Sequence, residues 1–152
     1  MNIEIVYTDE RYLSRWGRPE FKTRGANGLD LRASTEKPTV LLPQKSYCIS
    51  TGICLNMNGS GLGALLTIRS GLSINNSLSL VNGVGVIDND YQGEVIACIR
   101  NGDREKHYVI DPGDRIVQLI FIPLIQPLFR EVKEFSFLTE RGERGIGSTG
   151  EI

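Results

Sequence analysis

Strand-like runs of hydrophobic residues recur about every ten residues along the chain, and in the clearest of them hydrophobic and polar positions alternate with a period of two, the pattern of a β-strand that buries one face. In residues 46–51, Tyr47, Ile49 and Thr51 fall on one face of an extended strand and Cys48 falls on the other. The longer period of amphipathic helices is almost absent. Ten segments are predicted as strands: NIEIVY, LDLRA, TVLL, SYCISTGICLNM, LGALLTIRS, LSLVNGVGVI, GEVIACIRN, HYVI, RIVQLIFIPLI and LFREVKEF.

Turn-forming residues separate these predicted strands, as in NGSG (58–61), NGD (101–103) and DPGD (111–114). One helical turn is predicted at SGLSINNS, with Ser70 as its N-cap. Many short strands, 17 glycines and little helix predict an all-β fold, either an antiparallel β-barrel or a jelly roll.

The length of 152 residues predicts one domain, and the near balance of 17 basic and 18 acidic residues argues against broad nucleic-acid binding. We find no signal-peptide pattern and no apolar run long enough to cross a membrane. Cys48, Cys54 and Cys98 form no C-x-x-C pair and are predicted to be reduced thiols, and His107 is predicted to face solvent. We therefore expect a cytoplasmic protein.

The composition changes after residue 138, where the segment 139–152 becomes rich in glycine. Such a tail is typical of a frayed terminus. A second interpretation is an arm that folds over a phosphate, because Arg141, Arg144, Ser148 and Thr149 offer charge and hydroxyl groups between flexible glycines. We divide the chain into a β-domain, 1–138, and this arm, 139–152.

The segment NGVGVIDNDYQGEV, residues 82–95, places Asp88 and Asp90 two positions apart at the end of a strand-like run. DNDYQG resembles the first half of an EF-hand calcium loop, but the loop needs Glu at its twelfth position, and that position is Ile99. Strands rather than helices are also predicted on both sides. A solvated hairpin turn and a catalytic carboxylate both remain open for this pair.

Three further segments carry polar groups beside apolar strands. IRSGLS (68–73) combines a cation, a hydroxyl and free N–H groups, which suits an anion site or a surface arginine. Gln118 stands inside an apolar strand, so its amide either bridges backbone groups or faces a polar pocket. Asp30 lies on the opposite face from its two leucine neighbours.

The order of these segments is more informative than any one of them. GLDLRA, RSGL, NGVGVIDNDYQGE, GDRIVQLIF and RGERGIGSTG resemble the five ordered motifs of the homotrimeric dUTP pyrophosphatases (dUTPases), over residues 25–150. The resemblance implies a distorted jelly roll in which three subunits contribute to each active site. It also implies hydrolysis of dUTP to dUMP and pyrophosphate with Mg²⁺, which keeps uracil out of DNA and supplies dUMP for dTTP synthesis.

The resemblance also implies roles for the polar residues. Asp88 is expected to deprotonate the water that attacks the α-phosphorus, and Gln118 to bond the α-phosphate or that water. Asp30 is expected to hold Mg²⁺ through a coordinated water. The β- and γ-phosphates are expected to bind to Arg69, Ser70 and Gly71, which a neighbouring subunit supplies.

The hairpin that begins at Asn82 and includes Gly85 is expected to read uracil through backbone groups. Tyr91 is expected to lie against the deoxyribose and to exclude a ribose 2′-hydroxyl, and Asp90 to stabilise the turn. In the C-terminal arm, the residues expected to close over the substrate are Arg141, Ile146, Ser148 and Thr149.

The chain departs from the family pattern in two motifs. Ile68 replaces a proline, and in the fifth motif Arg144 replaces a glycine and Ile146 an aromatic residue. Base stacking on an aromatic ring is worth ~1–3 kcal/mol, so Ile146 is expected to weaken the cap on uracil by roughly tenfold or more, unless its aliphatic contact or a contact from Arg144 compensates. Two alternatives to an active dUTPase stay open: a regulator of a protein partner that has the dUTPase fold, and a deaminase acting on dCTP.

Overall fold

The computed structural model describes residues 2–145 and contains ten strands and two short helical segments. The strands are β1 (Glu4–Tyr7), β2 (Gly28–Arg32), β3 (Thr39–Leu41), β4 (Ser46–Asn56), β5 (Leu62–Ile68), β6 (Leu78–Leu80), β7 (Gly85–Ile87), β8 (Glu94–Asn101), β9 (Tyr108–Ile110) and β10 (Arg115–Pro123). Helix α1 spans Ser70–Asn76, and a π-helical turn spans Tyr12–Trp16.

The strands form two four-stranded antiparallel sheets and one small ladder. The sheets have the orders β1-β4-β8-β6 and β2-β10-β5-β7, and β3 pairs with β9. Their inner faces bury residues such as Leu31, Ile53, Ile99 and Leu119, each fully shielded from solvent. Period-two alternation places these side chains inside, and the prediction of an all-β, jelly-roll-like fold is confirmed.

Two predicted strands differ from the observed ones. The run LSLVNGVGVI is two strands, β6 and β7, because Gly83 adopts a φ of 71° and turns the chain between them. The run at 128–135 is not a strand, and Leu128 and Phe129 are 99% and 91% exposed. A strand needs a hydrogen-bonded neighbour, and no described strand of the same chain pairs with this segment.

The helical segments also correct the sequence analysis. Arg69, not Ser70, is the N-cap of α1, and no side chain caps it, so Ser70 is the first residue of the helix. The π-helical turn was not predicted. It is held by Tyr12, a buried residue whose hydroxyl donates to the Thr51 carbonyl and accepts from the Arg32 N–H.

The prediction of reduced cysteines is wrong for two of the three. Cys48 and Cys98 face each other across the β4–β8 ladder and form a disulfide, whereas Cys54 is free. The two residues are separated by 50 positions, so only strand register brings them together. The disulfide also removes the argument from free thiols for a reducing compartment. His107 is exposed as predicted, and no helix within residues 2–145 is long and apolar enough to cross a membrane.

Candidate active site

A cleft of about 260 Å³ lies beside the segment that joins β6 to β7 and the turn that joins β7 to β8. The first segment was predicted as a hairpin, but β6 pairs with β8 and β7 with β5, so it is a tight turn between the two sheets, for which we keep the name hairpin. Four of the residues that the sequence singled out line it together: Asn82, Gly85, Asp88 and Tyr91. A carboxylate, an aromatic ring and a backbone hairpin therefore meet at one surface, the combination needed to hold a small polar heterocycle beside an acid–base group.

Backbone hydrogen bonds give the hairpin its shape. The Val81 N–H donates to the Cys98 carbonyl over 2.9 Å, and the Gly83 N–H donates to the Leu80 carbonyl over 3.0 Å. Gly85 is buried against Leu66, and a Cβ at position 85 would lie 3.1 Å from the Leu66 Cβ. These contacts hold the hairpin close to β5 and leave its edge directed to the cleft.

The turn that carries Asp88 is anchored by Asn89, which the sequence analysis missed. The Asn89 amide donates to the carbonyls of Met57 and Leu62, over 2.7 and 2.6 Å. Asp90 was expected to stabilise the turn, but it is exposed and none of the described hydrogen bonds involves its side chain. The amide fits because it donates both protons to backbone carbonyls, and an ionised carboxylate has no proton to donate.

A second cluster surrounds Asp30, which is opposite Gln118 in the β2–β10 ladder. Its carboxylate pairs with the Arg69 Nε at 3.2 Å and the Arg115 Nη1 at 3.1 Å. Arg69 also donates to the Arg115 carbonyl over 3.1 Å. The cluster carries one net positive charge at the start of helix α1, where Ser70 and Gly71 are exposed, and this favours an anion. Arg115 was missed, although it follows the predicted DPGD turn directly.

Gln118 lies in the middle of the β2–β10–β5 region and is half-buried. Its Oε1 rests against Gly28 and fills the space that a Cβ would take there. None of the described hydrogen bonds involves its side chain, so its amide does not bridge backbone groups. The option that its amide bridges backbone groups is therefore wrong, and the option that it faces a polar pocket stays a prediction.

The two clusters lie at opposite ends of one strand. In the β5–β7 ladder, Ile87 is opposite Ala64, so Asp88 leaves the sheet near the beginning of β5. Arg69 directly follows the end of β5, five positions beyond Ala64. At about 3.3 Å per residue, the two ends are roughly 17 Å apart. The described chain alone therefore does not bring Asp88 to Arg69.

The residues near Asp30 fit a Mg²⁺ ion that is bound through a water molecule rather than one that is ligated by several protein side chains. Within residues 2–145, no three side chains among His, Cys, Asp and Glu converge to form a metal cage. The Asp30 side chain is 18% exposed and each of its oxygens is paired with an arginine, which suits contact through a water rather than direct ligation. Mg²⁺ commonly uses one carboxylate together with substrate phosphates, so the residues fit an ion that arrives with a triphosphate.

The C-terminal segment is described only in part. Arg141 and Arg144 are exposed, and each donates from Nε to the backbone carbonyl of the other over 3.0 Å. Ile146, Ser148 and Thr149, which were predicted to close over the substrate, lie outside the described residues.

Comparison with known proteins identifies relatives over almost the whole chain. A sequence model of the dUTPase family matches residues 14–150. The deoxyuridine 5′-triphosphate nucleotidohydrolase of Hydrogenovibrio crunogenus is 39% identical over 99% of this chain and 97% of that protein. That of Blochmanniella pennsylvanica is 41% identical over 97% of this chain and 96% of that protein.

Solved structures agree at the level of the fold. A point mutant of the dUTPase of Staphylococcus bacteriophage 80alpha, with dUpNHpp, superposes with a TM-score of 0.81 at 24% identity and covers 99% of both chains. A point mutant of the dUTPase of Staphylococcus aureus phage phi11, with a structural Mg(II) ion, superposes with a TM-score of 0.77 at 23% identity. It covers 90% of this chain and 100% of that chain.

Proposed function

The chain belongs to the dUTPase family, and from that premise we propose how its residues divide the hydrolysis of dUTP to dUMP and pyrophosphate. Its activity is that of a dUTP diphosphatase. The observation that carries the proposal is the cleft that brings Asn82, Asp88 and Tyr91 together. Such a substrate requires three groups beside its first phosphate. These are a hairpin that recognises the base, a general base, and an aromatic ring that contacts the sugar.

Uracil binds to the hairpin through backbone groups between Asn82 and Gly85. Cytosine presents the reverse donor and acceptor pattern, which would leave those groups buried and unpaired, and unpaired buried groups discriminate strongly. The Tyr91 ring lies against the deoxyribose, so a 2′-hydroxyl on a ribose would collide with it. The thymine methyl group is excluded because the hairpin packs closely against β5.

Asp88 orients a water molecule and accepts its proton as the water oxygen attacks the α-phosphorus. A new P–O bond forms, the bond from the α-phosphorus to the bridging oxygen breaks, and pyrophosphate leaves. Gln118 bonds the α-phosphate or the attacking water. Asp30 would hold Mg²⁺ through a water, and the ion would supply positive charge against the triphosphate.

The phosphate chain lies against Arg69, Ser70 and Gly71 of a different subunit from the one that supplies Asp88. The separation of roughly 17 Å within one chain supports this division, as do the exposed apolar residues Leu128 and Phe129, which one chain leaves uncovered. The assembly is a homotrimer with an active site at each subunit interface. The arm, 139–152, closes over the γ-phosphate with Arg141, Ser148 and Thr149.

Ile146 takes the place of the aromatic residue that caps uracil in the family, so the arm binds the base less tightly here. Sanitation of the nucleotide pool, which keeps uracil out of DNA and supplies dUMP, is the cellular role that follows. A cytoplasmic location stays a prediction from the sequence.

Pyrophosphate release from dUTP in the presence of Mg²⁺ tests the proposal. Asp88→Asn is expected to lower kcat by about a thousandfold or more, since it removes the proton acceptor. Asp90→Asn is the matched control: it removes a neighbouring carboxylate outside the cleft, and kcat should stay within about twofold of wild type. An Asp88→Asn variant with wild-type kcat would contradict the assignment of the base.

Assays on the same purified protein distinguish a dUTPase from the two alternatives, a regulator and a dCTP deaminase. Absence of dUTP turnover by the wild-type protein would favour a regulator that binds nucleotide and a protein partner. Ammonia release from dCTP would favour a deaminase. Tyr91→Ala is expected to admit UTP, and an unchanged ratio of kcat/KM for dUTP and UTP would refute the contact with the sugar.

A further inference from the structure

The Tyr91 ring does not project freely from its turn but lies on the backbone of Gly93. A Cβ at position 93 would lie 2.5 Å from the Tyr91 Oη, 2.6 Å from Cζ and 2.9 Å from Cε2. The Tyr91 hydroxyl donates to the Glu94 carbonyl over 3.0 Å. The absence of a side chain at Gly93 and the hydrogen bond to the Glu94 carbonyl therefore define the position of the Tyr91 ring, although Tyr91 is 44% exposed.

Glu94, which supplies that carbonyl, is itself fixed to the opposite strand. Its Oε1 accepts the Gly52 N–H over 2.6 Å and also accepts the Ser50 hydroxyl. This is the point where the β4–β8 ladder shifts register, between Ser50 and Cys54. The Glu94 carboxylate accepts a hydrogen bond from the Gly52 N–H, which the register shift leaves without a cross-strand partner. Glu94 therefore connects the Tyr91 turn to the middle of β4.

We propose that Gly93 and Glu94 are positioning residues that hold the Tyr91 ring at the cleft wall and thereby set the preference for deoxyribose over ribose. The inference rests on the proposed contact between Tyr91 and the sugar. The Tyr91 ring can exclude a 2′-hydroxyl only if the ring keeps its position. An exposed tyrosine whose two side-chain torsions are unrestrained would rotate away from the hydroxyl. Gly93 removes the obstacle to one ring position, and the Glu94 carbonyl holds the ring there.

Gly93→Ala tests the steric part of the inference. The φ of Gly93 lies outside the left-handed region, and the three nearest atoms are all in Tyr91, so the ring has to move while the backbone stays. The ratio of kcat/KM for dUTP to that for UTP is expected to fall by about tenfold or more, with the melting temperature close to wild type. Gly25→Ala is the matched control, because a Cβ there meets no atom within 4 Å.

A double-mutant cycle shows whether Gly93 acts through Tyr91. Once Tyr91→Ala has removed the ring, Gly93→Ala meets no clash and should leave the selectivity of the double variant equal to that of Tyr91→Ala alone. Multiplicative effects of the two substitutions would overturn the inference, because Gly93 would then act by another route.

The role of Glu94 is tested by a conservative pair. Glu94→Ala removes the acceptor that binds the Ser50 hydroxyl and the Gly52 N–H, and is expected to lower the selectivity ratio about tenfold. Glu94→Gln retains an oxygen in the same place and should keep most of the selectivity. An equal loss in both variants would contradict an anchoring role.

Failure of this inference is distinguishable from failure of the proposed function. If Tyr91→Ala leaves the dUTP/UTP ratio unchanged, the contact with the sugar is wrong and the positioning role is overturned with it. If Tyr91→Ala admits UTP while Gly93→Ala does not, Tyr91 keeps its role and only the positioning by Gly93 is overturned.

Discussion

Gln118 illustrates how a single small residue sets the position of a side chain that has a proposed role in the site. Its amide makes none of the described hydrogen bonds, so sterics rather than polar contacts place it over Gly28. Any larger residue at position 28 would occupy the space that the Gln118 oxygen now fills. The glycine is thus needed for clearance, not for an unusual backbone angle.

Gly28→Ala is therefore expected to displace the Gln118 amide. A misplacement on the order of 1 Å costs up to about a hundredfold in rate, so kcat should fall by about tenfold to a hundredfold with a smaller change in KM. Steady-state kinetics with dUTP, together with a melting curve, measure the effect. Gly63→Ala is the control, because a Cβ there meets its nearest atom at an ordinary 3.5 Å. A wild-type kcat for Gly28→Ala would show that the amide position is unimportant.

The residues that face the candidate cleft are recognisable in the sequence, whereas the residues that hold them in place are not. Asp88 and Tyr91 stand out because a carboxylate and an aromatic interrupt a strand-like run. Asn89 and Glu94 act through partners more than 25 residues away, Met57, Leu62, Ser50 and Gly52. Such pairings depend on strand register, which a single sequence does not display.

At the scale of elements, Asp9 joins the end of β1 to the loop after β2. Its buried carboxylate accepts hydrogen bonds from the Arg11 guanidinium at 2.6–3.0 Å and from the Ser34 hydroxyl at 2.5 Å. The Arg11 bonds, with a smaller contribution from Ser34, outweigh burial and lower the pKa of Asp9 from 3.8 to about 2.

Because this pKa is lower in the folded than in the unfolded chain, the carboxylate stabilises the fold above about pH 4, by about 2 kcal/mol. That contribution is lost progressively as the pH falls towards 2. Asp9→Asn should therefore lower the free energy of unfolding by about 2 kcal/mol at pH 7, and the difference from wild type should shrink below pH 4. Urea titrations at several pH values at constant protein concentration measure this, and a difference independent of pH would contradict it.

The disulfide joins β4 to β8, the central pair of its sheet, and Cys98 also lines the hairpin cleft. It closes a long loop, and such a link typically contributes about 2–4 kcal/mol. The double variant Cys48→Ser with Cys98→Ser is expected to lose stability by about this amount under oxidising conditions and to match the wild type in reductant. Cys54→Ser controls for the loss of a thiol. Equal stability of the double variant and the oxidised wild type would show that the link does not form in solution.

The existence of most strands was predictable because runs of apolar and β-branched residues recur between turn-forming residues, but the pairing of the strands was not. The division of LSLVNGVGVI into β6 and β7 depends on the positive φ of Gly83, for which the Asn82–Gly83 pair was an available signal. The segment 128–135 was predicted as a strand, but its apolar residues, at 128, 129, 132 and 135, do not alternate with a period of two, and it pairs with no strand in the described chain. Its exposed apolar residues would be covered by a neighbouring subunit in the proposed trimer.

At the scale of the whole molecule, the two halves of the candidate site lie at opposite ends of β5. The Asp88 half contains the hairpin that we propose reads the base, and the Arg69 half contains the positive charge. The sequence indicated a shared site only through its resemblance to a trimeric family, because composition and periodicity do not encode assembly. The geometry supplies an independent reason, since one chain keeps Asp88 and Arg69 apart.

Subunit mixing tests this division directly. Asp88→Asn and Arg69→Ala are each expected to be inactive alone. In trimers assembled from an equal mixture, a site is intact when one subunit supplies Asp88 and a different one supplies Arg69, with a probability of one half times one half. About a quarter of wild-type activity should therefore return.

The double variant Asp88→Asn/Arg69→Ala, mixed equally with wild type, is the matched control. It should also retain about a quarter of wild-type activity if the two residues act from different subunits, and about a half if they act from the same chain. Both mixtures contain the same number of each substitution and differ only in whether the substitutions share a chain. Recovery of no activity in the first mixture and of half in the second would place a complete site within one subunit, and the proposed trimeric site would then be wrong.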